Sequence, residues 1–321
     1  MRAIMPRMRS RRAALALIGS LTLLVAATPE ASACIGLSAE GVVPVRGEEA
    51  LIAWDEASRT EHFVRSARFD RMARDFGFIV PTPSEPTLTE VSERVFHRLF
   101  DLYRRPVRRA APGARTRSAD ALGGLGDAGG VEVVSETQVA GLTGTVLRAT
   151  SPTALDAWLT EHGYATTPAL GAWLAPYVAG GWYLTAFRVD PAGAAGPVAM
   201  RAVRMSFHAE RAFFPYSEPQ TEGGRPRPFR VSVVAGTRVT ARVGDEPWSA
   251  HVGFARRTSR LHAILRDVVP DEALAETPWI TTFDEPRSLR GTSDLFFEAS
   301  SETRGVASRL DRQILAFRGA R

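Results

Sequence analysis

ALIAWDEASRTEHFVRSARF, residues 50–69, is the stretch from which the fold is read. From Ala50 to Trp54, and again from Glu61 to Phe69, apolar and polar residues roughly alternate. In an extended chain successive side chains point to opposite faces, so such alternation gives each segment one apolar row. Between them Asp55-Glu56-Ala57-Ser58 supplies short polar side chains that bond their own backbone in turns. The stretch predicts a β-hairpin.

Toward the C-terminus, Phe76 to Val80 reads as a third strand, stopped by Pro81-Thr82-Pro83. Pro86-Thr87-Leu88-Thr89-Glu90 then carries the signature of a capping box, with Thr87 as cap and Glu90 reaching back three residues later. Leu88, Val91, Val95, Leu99 and Leu102 recur at helical spacing, widened by Phe96 and Tyr103, while Glu90, Arg94, Arg98, Asp101 and Arg105 take the wet side. This predicts a helix from the capping box onward. Pro106 to Gly130 holds six glycines, six alanines and four arginines, too little apolar surface to offset its ordering entropy. It reads as a mobile loop that either links two halves or leaves one domain as an excursion.

Two strands follow, Val131 to Val139 and Thr145 to Thr150, joined at Gly141-Leu142-Thr143-Gly144. Ser151-Pro152 and Thr167-Pro168 each pair a cap with a first-turn proline, announcing two helices; Gly163 closes the first and Pro176 should kink or split the second. Trp182 to Val189, Val198 to Phe207, Phe229 to Val234 and Arg238 to Val243 look like strands, and Phe213 to Arg227, rich in proline, like a long loop. Arg304 to Phe317 has the stripe of an amphipathic helix. Ala165 to Phe187 carries no charge over 23 residues, yet two prolines and paired glycines interrupt it; a buried helix-turn-strand is expected rather than a membrane span.

Toward the N-terminus, arginines from Arg2 to Arg12 precede the apolar run Ala13 to Ala27 and the small residues Ala31-Ser32-Ala33. That order is a secretory signal peptide with its cut site, and about fifteen apolar residues fall short of a membrane-spanning helix. Ser10-Arg11-Arg12 with Leu15 matches a twin-arginine signal only loosely, so general secretory export is the favoured route. The only cysteine, Cys34, would follow the cut directly. A bacterial lipobox usually places leucine where Ala31 stands and abuts the apolar core, so a plain terminal thiol is favoured and Cys34 is the lesser candidate for lipidation. One cysteine cannot form an internal disulfide, so the exported domain depends on its apolar core.

All 40 basic residues are arginine. The leader holds five of them and one of the 35 acids, which leaves 35 bases against 34 acids and a formal charge of +1 over 288 residues. The apparent basicity belongs to the export tag, and nucleic-acid binding loses its compositional support.

GFIVPTPSEPTLTEVSERVFHRL (Gly77 to Leu99), LRATSPTALDAWLTEHGY (Leu147 to Tyr164), LGAWLAPYVAGGWYLTAFRVDP (Leu170 to Pro191) and WITTFDEPRSLRGTSDLFFE (Trp279 to Glu298) resemble a family of exported bacterial proteins, domain of unknown function 2330. The resemblance implies a signal peptide and an envelope or extracellular address, and no established activity. Family members often carry further cysteines near the mature start and sometimes a C-terminal membrane helix; this chain has only Cys34, and its tail is too polar to span.

The search for chemistry finds little. Histidines 62, 97, 162, 208, 251 and 262 make no His-x-x-x-His or His-x-His pair, so neither a metal nor another cofactor is expected. Glu93 and His97 share a helix face, as a solvated pair would. No nucleophile elbow or phosphate loop is present, and Asp271-Glu272 and Asp284-Glu285 read as solvent-facing charge. The notable concentration is aromatic: Trp158, Trp173, Tyr177, Trp182 and Tyr183. Trp173, Tyr177, Trp182 and Tyr183, with Arg188, are a candidate ligand surface, but core packing is the favoured use of these aromatics.

The expectation is an α+β protein, with mixed or antiparallel sheets and several packed helices, in one large or two small domains after a cleaved signal peptide. Its parts are a signal at 1–33, a hairpin-plus-helix region at 34–105, the loop at 106–130, the main region at 131–300 and a terminal helix at 301–321. Function is expected to be binding or structural, in the envelope or secreted, toward an unidentified macromolecule, with membrane association only through a lipidated Cys34. An exported hydrolase with a dispersed site is the alternative.

Overall fold

The structure, a computed structural model, describes residues 36–38, 41–43, 45–69, 77–103, 127–189, 202–220 and 226–308. The signal peptide, Cys34 and most of the 106–130 loop lie outside them. The strands are β1 (Gly36–Ser38), β2 (Gly41–Val43), β3 (Val45–Asp55), β4 (Thr60–Phe69), β5 (Gly77–Thr82), β6 (Thr87–Val91), β7 (Asp127–Ala128), β8 (Val131–Val139), β9 (Leu142–Ala149), β10 (Tyr183–Val189), β11 (Ala202–His208), β12 (Phe213–Phe214), β13 (Arg227–Ala235), β14 (Val239–Val243), β15 (Glu246–Pro247), β16 (His251–Arg257), β17 (Trp279–Ser288) and β18 (Leu295–Ala299). The helices are α1 (Arg94–Tyr103), α2 (Pro152–Glu161), α3 (Pro168–Ala179) and α4 (Arg260–Leu265). Strand outweighs helix throughout, so the described chain is mainly β.

The hairpin β3–β4 forms as the alternation requires, antiparallel from Val45↔Phe69 to Asp55↔Thr60. It lies inside a seven-stranded mixed sheet ordered β16-β17-β13-β3-β4-β11-β6, where β13 runs parallel to β3. Both faces of β3 are covered. Leu51 and Ala53 pack on the side that carries Leu99 of α1 and Leu265 of α4, while Ala50 and Ile52 face Phe214, Phe283 and Phe297 on the other.

A second seven-stranded sheet, β2-β1-β5-β10-β9-β8-β7, is antiparallel, and a four-stranded sheet β12-β18-β14-β15 shares the core beneath the hairpin sheet. Side-chain period two divides β5 and β10 between two cores: Phe78, Val80 and Phe187 face the hairpin sheet, whereas Ile79, Leu184 and Ala186 meet Trp158, Leu170 and Leu174 of α2 and α3. The layers therefore run helix, sheet, sheets, helix.

The helix caps at the second pair of helices form as read: Ser151 Oγ accepts from Ala154 N at 3.1 Å and Thr167 Oγ1 from Leu170 N at 3.1 Å. Pro176 lies within α3 and does not split it.

Several expectations are corrected. The apparent capping box Thr87 to Glu90 is strand β6, paired with β11 from Ala202↔Val91 to Ser206↔Thr87. The open edge of β11 offers a ladder that outweighs one local cap; Thr89 Oγ1 accepts from Arg204, and Glu90 from the Ala140 N–H. The helix starts only at Arg94, after Ser92, and buries Val95, Phe96, Leu99, Leu102 and Tyr103 as the stripe requires. Strand β5 continues through Pro81, opposite Leu184, because β1 pairs β5 only at Gly77 and no ladder on that side needs the missing N–H. The β8–β9 turn is tighter than read: Ala140 and Gly141 alone form it, at φ 57° and 77°, the left-handed pair of a two-residue hairpin turn. Residues 304–308 are not helical, since Val306 bridges Ala255, and the rest of the expected terminal helix lies outside the described residues. Asp284 does not face solvent; inside β17 it is fully buried, with Arg230 Nε donating to it at 3.0 Å.

Candidate functional site

Trp173 and Tyr177 stand one turn apart on α3, so they share a face. Their rings meet edge to face, 5.8 Å apart at 77°. Below them passes the stretch read as a proline-rich loop, and its residues 215–219 are buried. A buried loop must satisfy its backbone elsewhere, and this one does. The Ser217 N–H donates to Asp294 Oδ1 at 2.9 Å, and the Glu218 N–H to the Gly291 carbonyl at 3.0 Å.

The hydroxyls form a directed chain. Trp173 Nε1 donates to Ser217 Oγ at 3.0 Å, which leaves Ser217 to donate to the Tyr177 hydroxyl at 2.6 Å. Tyr177 in turn donates to Asp294, with its oxygen 2.8 Å from Oδ2 and 3.0 Å from Oδ1. The donors thus converge on one carboxylate, just before β18. Burial raises the Asp294 carboxyl above the ordinary aspartate value, and the bonds from Ser217, Tyr177 and the Tyr216 backbone offset only part of that. Among the described residues no cation pairs with Asp294.

Over this chain opens a cavity of about 240 Å³, walled by Ala172, Trp173, Tyr177, Ser217, Glu218 and Asp294. That is below the roughly 300–1,000 Å³ of pockets for drug-sized ligands, so it suits a small group rather than a whole large molecule.

A buried ion network fixes the floor. Arg227 pairs with Glu218, and Arg290 Nε lies 3.6 Å from the same carboxylate. Arg290 Nη2 also donates to Glu48 at 2.6 Å, and Arg65 Nε to Glu48 at 2.5 Å. The Arg290 guanidinium sits 4.2 Å from the Phe229 ring centre and 4.4 Å from that of Tyr216. Burial alone would raise the Glu48 carboxyl, but Arg65, Arg290 and Arg227 together hold it below the ordinary value. At Glu218 burial wins over Arg290 and Arg227, and the carboxyl is raised. Glu218 is therefore committed to the network, whereas Asp294 is held by neutral donors.

No histidine lines the cavity, Ser217 donates to Tyr177, and the titratable groups on the wall are the carboxyls of Asp294 and Glu218.

Of the aromatic residues singled out in the sequence, Trp173 and Tyr177 come together here. Trp182 lies behind them, 5.2 Å from Tyr177 and 5.3 Å from Phe213. Tyr183 meets Arg148 instead, and Arg188, at the far end of β10, donates to the His162 carbonyl at 2.6 Å. Trp158 stacks on His162. His97 is on α1 and Glu93 in the turn just before it, across the hairpin sheet from the cavity, and they do not converge with it. Ala31, Ser32, Ala33 and Cys34 fall outside the described residues. Sequence reading missed Ser217, Glu218 and Asp294; the only available signal was the aromatic-polar run Tyr216-Ser217-Glu218 within the presumed loop. Among the described residues no His, Cys, Asp and Glu cluster is arranged to hold a metal, and no helix is long and apolar enough to cross a membrane.

The profile of a family described as "Uncharacterized protein conserved in bacteria" matches residues 28–283. No curated protein matches. Among solved structures, the chain is similar to baculovirus P35, at TM-score 0.40 and 7% identity over 81% of this chain and 98% of that one. It is also similar to a chain of the caspase-8/P35 complex, at TM-score 0.36 and 6% identity over 81% and 94%. Likenesses this loose carry no argument about function.

Proposed function

This chain belongs to the bacterial family of domain of unknown function 2330, and on that premise we propose that it is an exported, non-enzymatic binding protein of the envelope or extracellular space. Its recognition site is the cavity beside Trp173, Tyr177, Ser217 and Asp294. The observation that carries the reading is the converging donor chain: polar groups are preorganised around a pocket, with the Ser217 hydroxyl directed to Tyr177 and Glu218 tied to Arg227. Residues 1–33 act as a cleaved leader, and Cys34 tethers the protein to lipid only if it is acylated. Helices on both outer faces keep an α+β description within this reading. The partner is an envelope or extracellular molecule that presents a small group to the cavity.

Ligand-observed NMR with a fragment library tests this. Ala172 is exposed on α3 at the cavity wall, so Ala172→Trp fills the space without touching the core. Fragments that bind the native protein and not the variant support the reading; a library that fails to distinguish the two refutes it. The alternative, an exported hydrolase, draws on the raised carboxyls of Asp294 and Glu218. It requires turnover of a peptide, ester or glycoside substrate that Asp294→Asn abolishes.

A further inference from the structure

Resting on that reading of the cavity, we infer that its ligand is a quaternary ammonium group, held by the charge of Asp294 beside the edge-to-face pair Trp173 and Tyr177. Three observations lead there. The Asp294 carboxylate faces the cavity, and no cation among the described residues compensates it. Its hydrogen-bonding capacity is largely spent, because a carboxylate offers about four lone-pair sites and the Ser217 N–H, the Tyr216 backbone N–H and the Tyr177 hydroxyl, which spans both oxygens, already engage it. What it has left is charge rather than acceptor sites. A primary ammonium brings three donors that need partners, whereas a quaternary ammonium brings charge and methyl groups only.

The rest of the wall suits those methyl groups. Ala169, Ala172 and Pro176 of α3 are apolar, and the perpendicular pair Trp173 and Tyr177 supplies aromatic surface of the kind that attracts alkylated ammonium ions. An anion is disfavoured, since Arg227 and Arg290, which reach the Glu218 carboxylate, are occupied by Glu218 and Glu48. The cavity's 240 Å³ admits a headgroup and excludes a long chain, which must then leave through the mouth.

Choline and its neutral carbon isostere, 3,3-dimethylbutan-1-ol, share shape and differ in charge. Isothermal titration of the full mature chain is expected to show choline binding at least about tenfold more tightly than the isostere, the scale of one charge-assisted contact. Asp294→Asn, which keeps the side-chain shape, should erase that difference while leaving the circular dichroism spectrum unchanged. Equal affinity for both probes, or a preference that survives Asp294→Asn, overturns the inference. Should Asp294→Asn fail to fold, Ala172→Trp replaces it, and choline binding unaffected by that filled cavity overturns the inference equally. If choline does not bind although other fragments still distinguish native protein from Ala172→Trp, the ammonium assignment falls and the binding reading stands. Sedimentation with phosphatidylcholine vesicles separates the two sources: capture supports a lipid-borne headgroup, and choline binding without capture supports a free solute.

Discussion

Glu48→Gln removes one charge from the network under the cavity and leaves its partners buried. Arg65 and Arg290 both donate to Glu48, at 2.5 and 2.6 Å, from side chains almost wholly out of solvent. Arg290 keeps Glu218, but Arg65 already has two buried nitrogens without hydrogen-bond partners and would lose its only ion pair among the described residues. Removing one member of such a pair costs about 3–5 kcal/mol, and the amide that still accepts one bond puts the expectation near the lower end. Against a typical total of about 5–15 kcal/mol this is a large share. Urea unfolding at pH 7 followed by tryptophan fluorescence should show a midpoint lower by about 1 M, for a slope near 3 kcal/mol per M. A loss under about 1 kcal/mol would refute the reasoning. Replacing both partners, Glu48→Leu with Arg65→Met, should recover the share of the loss that comes from stranding Arg65, while Arg290 still loses its bond to Glu48. The native protein should also have an acid limb that Glu48→Gln lacks. The arginines outweigh burial and hold the Glu48 carboxyl low, so its stabilisation is complete above the unfolded carboxylate range and disappears as pH falls through the folded value.

Two further groups make opposite predictions with pH. Burial raises the Glu61 carboxyl well above 4.5, offset only in part by the Phe213 N–H that donates to it, so the fold favours its protonated form. Its contribution is full below the unfolded value and lost as pH rises through the folded one; Glu61→Gln should therefore gain melting temperature relative to the native protein on going from pH 4 to 9, and a constant offset would contradict this. His62 is pulled from 6.5 to about 4, by burial first and then by Arg204, with Asp55 acting the other way. Its neutral form is the folded one, so its share of stability is present above about 6.5 and declines as pH falls toward 4; an NMR titration of the ring should have its midpoint near 4, and a midpoint near 6.5 would reject the buried environment.

The parts of this fold legible in the sequence are those decided locally. Alternation from Ala50 to Phe69 identifies the hairpin, and the two Ser/Thr-Pro caps identify α2 and α3. Thr87 to Glu90 misleads because a capping box and an edge strand share residue types there. The deciding partner, Ala202 to Ser206, lies more than a hundred residues away in sequence. The same distance effect hides most of the site. Trp173 and Tyr177 stand out as neighbours on one helix, but Ser217 lies 40 residues beyond Tyr177 and Asp294 lies 117 beyond it. Prolines around Tyr216 to Glu218 read as a surface loop, yet side-chain acceptors satisfy that backbone and allow it into the core. Asp284 was misjudged for a related reason: an Asp-Glu pair on a loop is solvated, while in a strand the two side chains diverge, Asp284 to Arg230 and Glu285 to the Tyr216 hydroxyl.

Native mass spectrometry of the protein recovered from the cell envelope or culture medium reads both export and occupancy of the cavity. The expected species is a chain beginning at Cys34, plus a small noncovalent adduct that the Ala172→Trp variant, prepared identically, does not carry. A full-length chain recovered from the cytosol, or a bare mature chain indistinguishable in adducts from the filled-cavity variant, would contradict it.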